Sequence, residues 1–366
     1  MSERKAPEHV EEEVDEQSQQ LLSVHEPSCD VTALNADILM LISGYLLREE
    51  FNDFIHVNKD IHQEFKIYRY ISLNKNCSLT YYENEEFRQR ILSRIAHPRR
   101  QLSLKFIGSR VLNLKRLDEL HSLQLYYCTR ISDVSTLSRL HTLSLYFCPQ
   151  VTDVRALARL HTLNICRCNH ITDVSSLGGV QTLKILKCEQ ITDVSALGGV
   201  HTLSLYGCRN VTDVSALGGV HALDLSYCSK IRDVSHLGGV RILNLSHSHN
   251  ITDVSALGRV HDLNLSKCIN LSDVSALGGV HTLDLSHCVR VTDVSSLHTV
   301  HTLKLCNCYN VVDVSALGQL YYLNLTHCSR ITDVSALRDV HTLDLTRCAP
   351  NLDVSSLGGV HTLRMT

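Results

Sequence analysis

From His121 onward the apolar positions follow a fixed pattern of 20 residues, repeated through twelve consecutive copies to Val360, with a thirteenth begun at His361. The copy from His281 to Val300, HTLDLSHCVRVTDVSSLHTV, shows the unit with little drift and is apolar at positions 3, 5, 8, 11, 14, 17 and 20. Leu283 and Leu285 alternate with polar neighbours, which predicts a short strand. From Cys288 the spacing lengthens to three, through Val291, Val294, Leu297 and Val300, so the chain turns corners and does not continue as a strand. One strand and one tight arc make one coil. A strict period of this kind predicts a solenoid, in which each coil buries its apolar side only against its neighbours.

The run L-x-x-C-x-x-V-T-D with L-x-L before it resembles the cysteine-containing class of leucine-rich repeats, over residues 121–366. The arc D-V-S-A-L-G-G resembles the short arcs of bacterial internalin-type repeats. This resemblance implies an α/β repeat solenoid, with a parallel β-sheet on the concave face and short 3₁₀-like arcs on the convex face. A short arc implies shallow curvature. Thirteen strands at roughly 4.8 Å spacing give a sheet about 58 Å long.

The chain before the repeats follows other rules. Residues 1–30 are acidic and lack an apolar core, so they are expected to be a disordered tail and not a signal peptide. Residues 31–73 place Ile38, Leu39, Ile42, Leu46, Phe51, Phe54, Val57, Ile61 and Phe65 at helical spacing, which predicts a small helical domain. Its pattern L-x-x-D-I-L-x-x-I, then Y-L, a short acidic link and F-x-x-F-x-x-V-N-K-x-I resembles an F-box. In that family the face corresponding to Leu34, Ile38, Leu39, Ile42, Leu46 and Phe51 binds the adaptor of a cullin-RING ubiquitin ligase. An ordinary helical cap on the solenoid explains the same spacing, and both readings stay open. Residues 74–100 are expected to be a linker with an amphipathic helix at 84–95. Residues 101–120 read as a degenerate repeat, one residue short, serving as the N-terminal cap. At the other end HTLRMT leaves a sheet edge uncovered, and self-association through the last coil is expected there.

Composition is core-rich, at 44% hydrophobic and 20% charged, with a net charge of -3. The near-neutral balance offers no footprint for nucleic acid, and the longest apolar runs are too short for a membrane span. Of the 15 cysteines, eleven recur at position 8 of the repeat, from Cys128 through Cys288 to Cys348, with Ser248 in the remaining copy. Stacked once per coil, a small side chain there fills space and hydrogen-bonds the backbone bend. Cys166-x-Cys168 and Cys306-x-Cys308 each lack a second pair nearby, so no metal is expected. Many unpaired thiols without a signal sequence point to an intracellular place, cytoplasmic or nuclear. The near identity of the copies resembles expanded repeat families of protists and of amoeba-infecting large DNA viruses, which implies a host cytoplasm if the source is viral.

Two further ladders invite chemistry. Aspartate holds position 13 in all twelve copies, among them Asp133 and Asp293, where its oxygen caps the amides of the turn that follows. Histidine holds position 1 in ten coils, and there imidazoles are expected to stack and to satisfy loop carbonyls. Function is expected where the copies differ. Positions 2, 4, 6 and 7 face the concave side, and the early copies place Tyr126, Tyr127, Tyr146, Phe147, Arg167, Lys184, Lys187, Tyr206 and Tyr227 there. Aromatic and basic residues in this mixture anchor protein interfaces. No nucleophile with its base, no phosphate-cradling loop and no cofactor motif appears, which sets enzymes aside. The leading reading is a substrate receptor, with F-box-like helices on a ligase adaptor and the concave face on an unidentified target protein. The alternative is a binding scaffold or inhibitor with no ligase connection.

Overall fold

The computed structural model describes residues 71–94, 102–108, the single positions 111, 114 and 117, 119–350 and 352–365. The tail 1–30, the F-box-like positions Leu34 to Phe51 and the rest of the segment up to 70 lie outside the described residues.

The core is an open parallel sheet of 15 strands joined in strict chain order. Strand β1 is Ile71–Leu73 and β2 is Leu102–Ile107; β3 (Ser122–Tyr126), β4 (Thr142–Tyr146), β5 (Thr162–Cys166) and β6 (Thr182–Leu186) follow at one per coil. From β7 (Thr202–Ser204) to β15 (Thr362–Arg364) each strand has three residues, β10 being Asp262–Asn264 and β11 Thr282–Asp284. Pairing is in register, so Leu163 lies opposite Leu183 and Leu283 opposite Leu303. Each side chain therefore stacks on its own copy.

The three-residue spacing of the arc has a direct cause. The amide of Cys288 bonds the carbonyl of Leu285, Val291 that of Cys288, Leu297 that of Val294, and Val300 that of Leu297. Each is an i to i+3 turn, and each turn returns an apolar residue to the inside. Cys288, Val291, Val294, Leu297 and Val300 are accordingly 0 to 2% exposed. The arc closes in a 3₁₀ turn, Ser295–Thr299 in this copy. Ahead of it Asp293 Oδ1 accepts the Ser295 amide at 2.9 Å, as Asp133 accepts that of Ser135 at 2.8 Å. The Ser295 side chain and then its amide lower the pKa of Asp293, and at Asp153 the Arg155 guanidinium, followed by the amide, brings it to about 2.

Position 8 joins neighbouring coils. Cys288 Sγ donates to the Leu265 carbonyl of the preceding coil at 3.1 Å. Ser248 makes the same bond, Oγ to the Leu225 carbonyl, at 3.2 Å, which explains why serine can stand in the ladder. In the first coil Cys128 Sγ donates to the Gly108 carbonyl at 3.4 Å. Burial raises the thiol pKa of Cys288 well above its ordinary value.

The change in strand length has its own local cause. From Asp224 onward most copies carry Asp or Asn at position 4 with Ser or Thr at position 6. The side chain accepts the position-6 amide, as Asp224 does from Ser226 at 3.0 Å and Asn264 from Ser266 at 2.9 Å. In those copies the turn diverts the amide from the ladder and ends the strand after three residues; in β7 the Ser204 hydroxyl accepts the Tyr206 amide at 3.4 Å instead, and the strand at Thr302–Lys304 is equally short without such a pair.

At the front the sheet does not begin where the sequence pattern places its cap. Ser103 pairs with Ser122, a span one residue shorter than the twenty between Thr142 and Thr162, in keeping with the short first half of residues 101–120. That coil is itself covered, because Ile71–Leu73, assigned above to the helical segment, pairs in parallel with Leu102–Leu104. Two helices connect them, α1 (Lys75–Glu83) and α2 (Glu85–Arg94), where one was expected at 84–95. The first is mostly polar, and Asn74 starts it by accepting the Cys77 amide. Buried Ser78 ties it to the sheet, donating to the Leu73 carbonyl and accepting the Lys105 amide, both at 3.0 Å. Arg88, 5% exposed, caps the end of α1 through the carbonyls of Tyr81 and Tyr82 and pairs with Glu85. The solenoid thus has fifteen strands where thirteen were expected.

If the thiol ladder works through its bond and its fit, Cys288→Ala lowers unfolding free energy by about 1 to 2 kcal/mol. Cys288→Ser, which keeps the donor, costs less than half of that. Urea unfolding followed by far-UV circular dichroism distinguishes them, and an alanine variant as stable as the wild type contradicts the assignment.

Candidate protein-binding face

Strands β3 to β6 each end at position 6, and the chain then reverses at position 7. The reversal places Tyr127, Phe147, Arg167, Lys187, Tyr227, His247, Lys267, His287, Asn307, His327 and Arg347 at φ between 50° and 63°. This is the left-handed region, which side chains with a Cβ enter at a cost. Glycine, the natural occupant, holds this place in two described coils, Gly207 with φ 69° and, in the shortened first coil, Gly108 with φ 93°. The sequence pattern does not show this strain, because position 7 varies and so reads as unconstrained. Apart from Asn307 the row's non-glycine residues are aromatic or basic, and it contains no acidic residue.

The first coils join this row to position 6. Tyr126 and Tyr146 lie 5.5 Å apart, Tyr127 meets Tyr146 edge-on at 5.3 Å and lies 5.6 Å from Phe147. Tyr127 is 38% and Phe147 42% exposed, well above the values usual for large apolar rings in a packed chain. Burial and the Tyr127 hydroxyl push the Tyr146 phenol up to about 12. Lys105 Nζ sits 4.8 Å over the Tyr126 ring, a contribution from the degenerate coil that the sequence reading missed. Arg167 is exposed at the edge, and Cys166 beneath it is buried with its pKa raised to about 11.

The later candidates divide. Lys184 is half-buried on the strand face, and burial lowers its pKa against the opposing pull of Asp224. Tyr206, placed on the open face by its position number, is 6% exposed. Because β7 ends at Ser204, the chain turns before Tyr206 and lays its ring edge-on to Tyr227 at 5.1 Å, with Lys187 Nζ 5.4 Å above it. It supports the face and does not offer its own ring. Tyr227 in turn stacks on His247 at 3.9 Å. Burial, then Lys267, lower the His247 pKa to about 4.

The histidine ladder stacks as its spacing implies, with ring centroids 4.4 to 4.7 Å apart, as in His121 on His141 and His201 on His221. In seven of the ladder histidines Nδ1 has another partner than the expected loop carbonyl. Instead Nδ1 meets the hydroxyl of the next residue, His301 to Thr302 at 3.2 Å, because threonine at position 2 stands beside the ring. Two shallow, solvent-open clefts, of about 460 and 690 Å³, lie between the arcs and the strand edge near Gln319, away from the aromatic row. Neither is an enclosed pocket of the kind that takes a small molecule. No described helix is long and apolar enough to cross a membrane.

Comparison with known proteins returns the fold. No protein-family model matches the chain, and no curated protein matches it. Among solved structures it is similar to an internalin, InlF from Listeria monocytogenes, with a TM-score of 0.53 at 19% identity over 82% of this chain and 88% of that one. It also resembles a functional domain of InlJ from the same organism, whose structure includes a cysteine ladder, with a TM-score of 0.49 at 24% identity over 70% of this chain and 60% of that one. A leucine-rich-repeat protein of Leptospira interrogans gives 0.44 at 14% identity over 83% and 97%. The open parallel sheet with one 3₁₀ turn per coil is that of a leucine-rich-repeat solenoid.

His247 gives the face a pH dependence of defined sign. Its folded pKa of about 4 lies below the unfolded value of about 6.5, so the unfolded chain binds the extra proton first. Stability is complete above about pH 6.5 and falls as pH drops through about 4. His141 and His287, also lowered by burial, act in the same direction. Thermal midpoints are expected to fall over this interval, less steeply in His247→Asn. A flat profile rules the effect out.

Proposed function

We propose that this chain is a receptor that captures a protein partner on the strand face of its first coils, with residues 31–73 linking it to the adaptor of a cullin-RING ubiquitin ligase. The observation that carries the first half is the left-handed row. Eleven non-glycine residues hold φ values that favour glycine, and strain of this kind is concentrated where side chains meet ligands. Its first members are Tyr127 and Phe147, exposed rings, followed in the same row by the cations Arg167 and Lys187, with Lys105 on the neighbouring strand. A partner of matching chemistry carries apolar anchors flanked by acidic side chains. Catalysis is not part of the proposal: the chain contributes proximity, and its partners carry out ubiquitin transfer.

The ligase half rests on Leu34, Ile38, Leu39, Ile42, Leu46 and Phe51 and on their resemblance to the adaptor face of an F-box. Intracellular residence, in cytoplasm or nucleus, follows from the same reading and suits the unpaired thiols. A test uses the full chain, purified from cells with its partners and identified by mass spectrometry. The wild type is expected to bring down both adaptor and target. Ile38→Asp with Ile42→Asp loses the adaptor and keeps the target; Arg167→Gly does the reverse. Removing left-handed strain also leaves Arg167→Gly more stable by about 0.5 to 1 kcal/mol, after the added freedom of the unfolded chain is subtracted. Failure to recover an adaptor removes the ligase link, and a destabilised Arg167→Gly contradicts the argument from strain.

A further inference from the structure

The histidine ladder departs from its own pattern at β10. Position 2 is threonine in most coils, and there its hydroxyl partners the preceding imidazole, as in His281 with Thr282 at 3.4 Å. In the copy that begins at His261 the residue is Asp262. His261 Nδ1 faces Asp262 Oδ1 across 3.2 Å, yet that nitrogen is buried and makes no hydrogen bond. One coil on, the ring of His281 stacks on His261 with centroids 4.6 Å apart and planes 13° apart. One donor atom from each of the three residues lies within 4.8 Å of the others. The stack begins here, because the coil before has Arg241 at position 1.

We propose that His261, Asp262 and His281 bind one divalent transition-metal ion of the zinc type. Two imidazoles and one carboxylate suit zinc and its neighbours in the transition series; oxygen-seeking calcium and magnesium and thiolate-seeking copper(I) are poorly matched. Three protein donors leave the fourth tetrahedral position to water or to a donor from another molecule. Donors about 2.0 to 2.2 Å from zinc stand roughly 3.5 Å apart, so the three must draw together. Their freedom allows this, since the side chains of His261 and Asp262 are each 38% exposed and His281 is exposed. The backbone is already paired, with Asp262 opposite Thr282 in the register of β10 and β11. A bound ion therefore bridges two coils without moving either strand. The other stacked pairs lack the carboxylate: His141, His161, His301 and His361 are each followed by threonine and His221 by Ala222.

The test titrates the full chain with zinc by isothermal calorimetry and with cobalt(II) by absorption. Asp262→Thr and His281→Gln are the comparisons, and both substitutes occur at the same repeat position in other coils, as Thr202 and Gln181, which favours intact folding. The wild type is expected to bind one ion at micromolar concentration, with visible cobalt bands and no near-ultraviolet thiolate band. Each variant is expected to weaken that site about tenfold or more. Equal uptake by all three proteins, absence of micromolar binding, or a cobalt spectrum dominated by thiolate charge transfer overturns the assignment.

Discussion

The in-register return of the chain every 20 residues is the constraint on which the rest depends, as in the pairing of Leu283 with Leu303. A parallel ladder sets equivalent atoms roughly 4.8 Å apart, so any group admitted at one position meets its own copy on both sides. Leucine at positions 3 and 5 gains from that arrangement, and so does the position-8 thiol, which reaches the carbonyl of the coil before it. Charge loses by it. The aspartates at position 13 tolerate their neighbours because they are solvent-exposed and each accepts an amide; at Asp153 the Arg155 guanidinium, then that amide, hold the carboxyl at about 2. Imidazoles at position 1 tolerate theirs by remaining flat against one another.

The same constraint divides the strand face. Where position 4 is Asp or Asn and position 6 is Ser or Thr, a side-chain turn shortens the strand and fills the face with small polar groups. In β3 to β6 the strand runs its full five residues, and just beyond the first two of these Tyr127 and Phe147 stay exposed. The exposed rings of Tyr127 and Phe147 are therefore concentrated in the first coils of the solenoid.

Much of this was legible in the sequence. Period-two leucines marked the strands, spacing of three marked the corners, and the strict repeat implied the parallel stacking, because each signal follows from local geometry that every coil shares. What was not legible depends on how coils meet or on backbone angles. Tyr206 has the position number of a surface residue but is buried by the early end of its strand. The left-handed row is invisible in a variable column of residues. Ile71–Leu73 is too short to register as a strand without its partner, and the polar α1 owes its place to Ser78 and Arg88. Asp262 looks like drift from threonine until its neighbour His281, nineteen residues on, is seen stacked beside the same ring.

Deletion of one complete coil tests the central claim most directly. If coil-to-coil register carries the fold, removal of residues 281–300 brings Thr302 beside Asp262 and leaves a folded, cooperative solenoid one coil shorter. Removal of residues 291–300 alone sets strand against arc and breaks every ladder at that point. Far-UV circular dichroism with thermal melting should show a native-like spectrum and melt for the first and loss of both for the second. Equal tolerance of the two deletions, or unfolding of the full-coil deletion, would contradict the account.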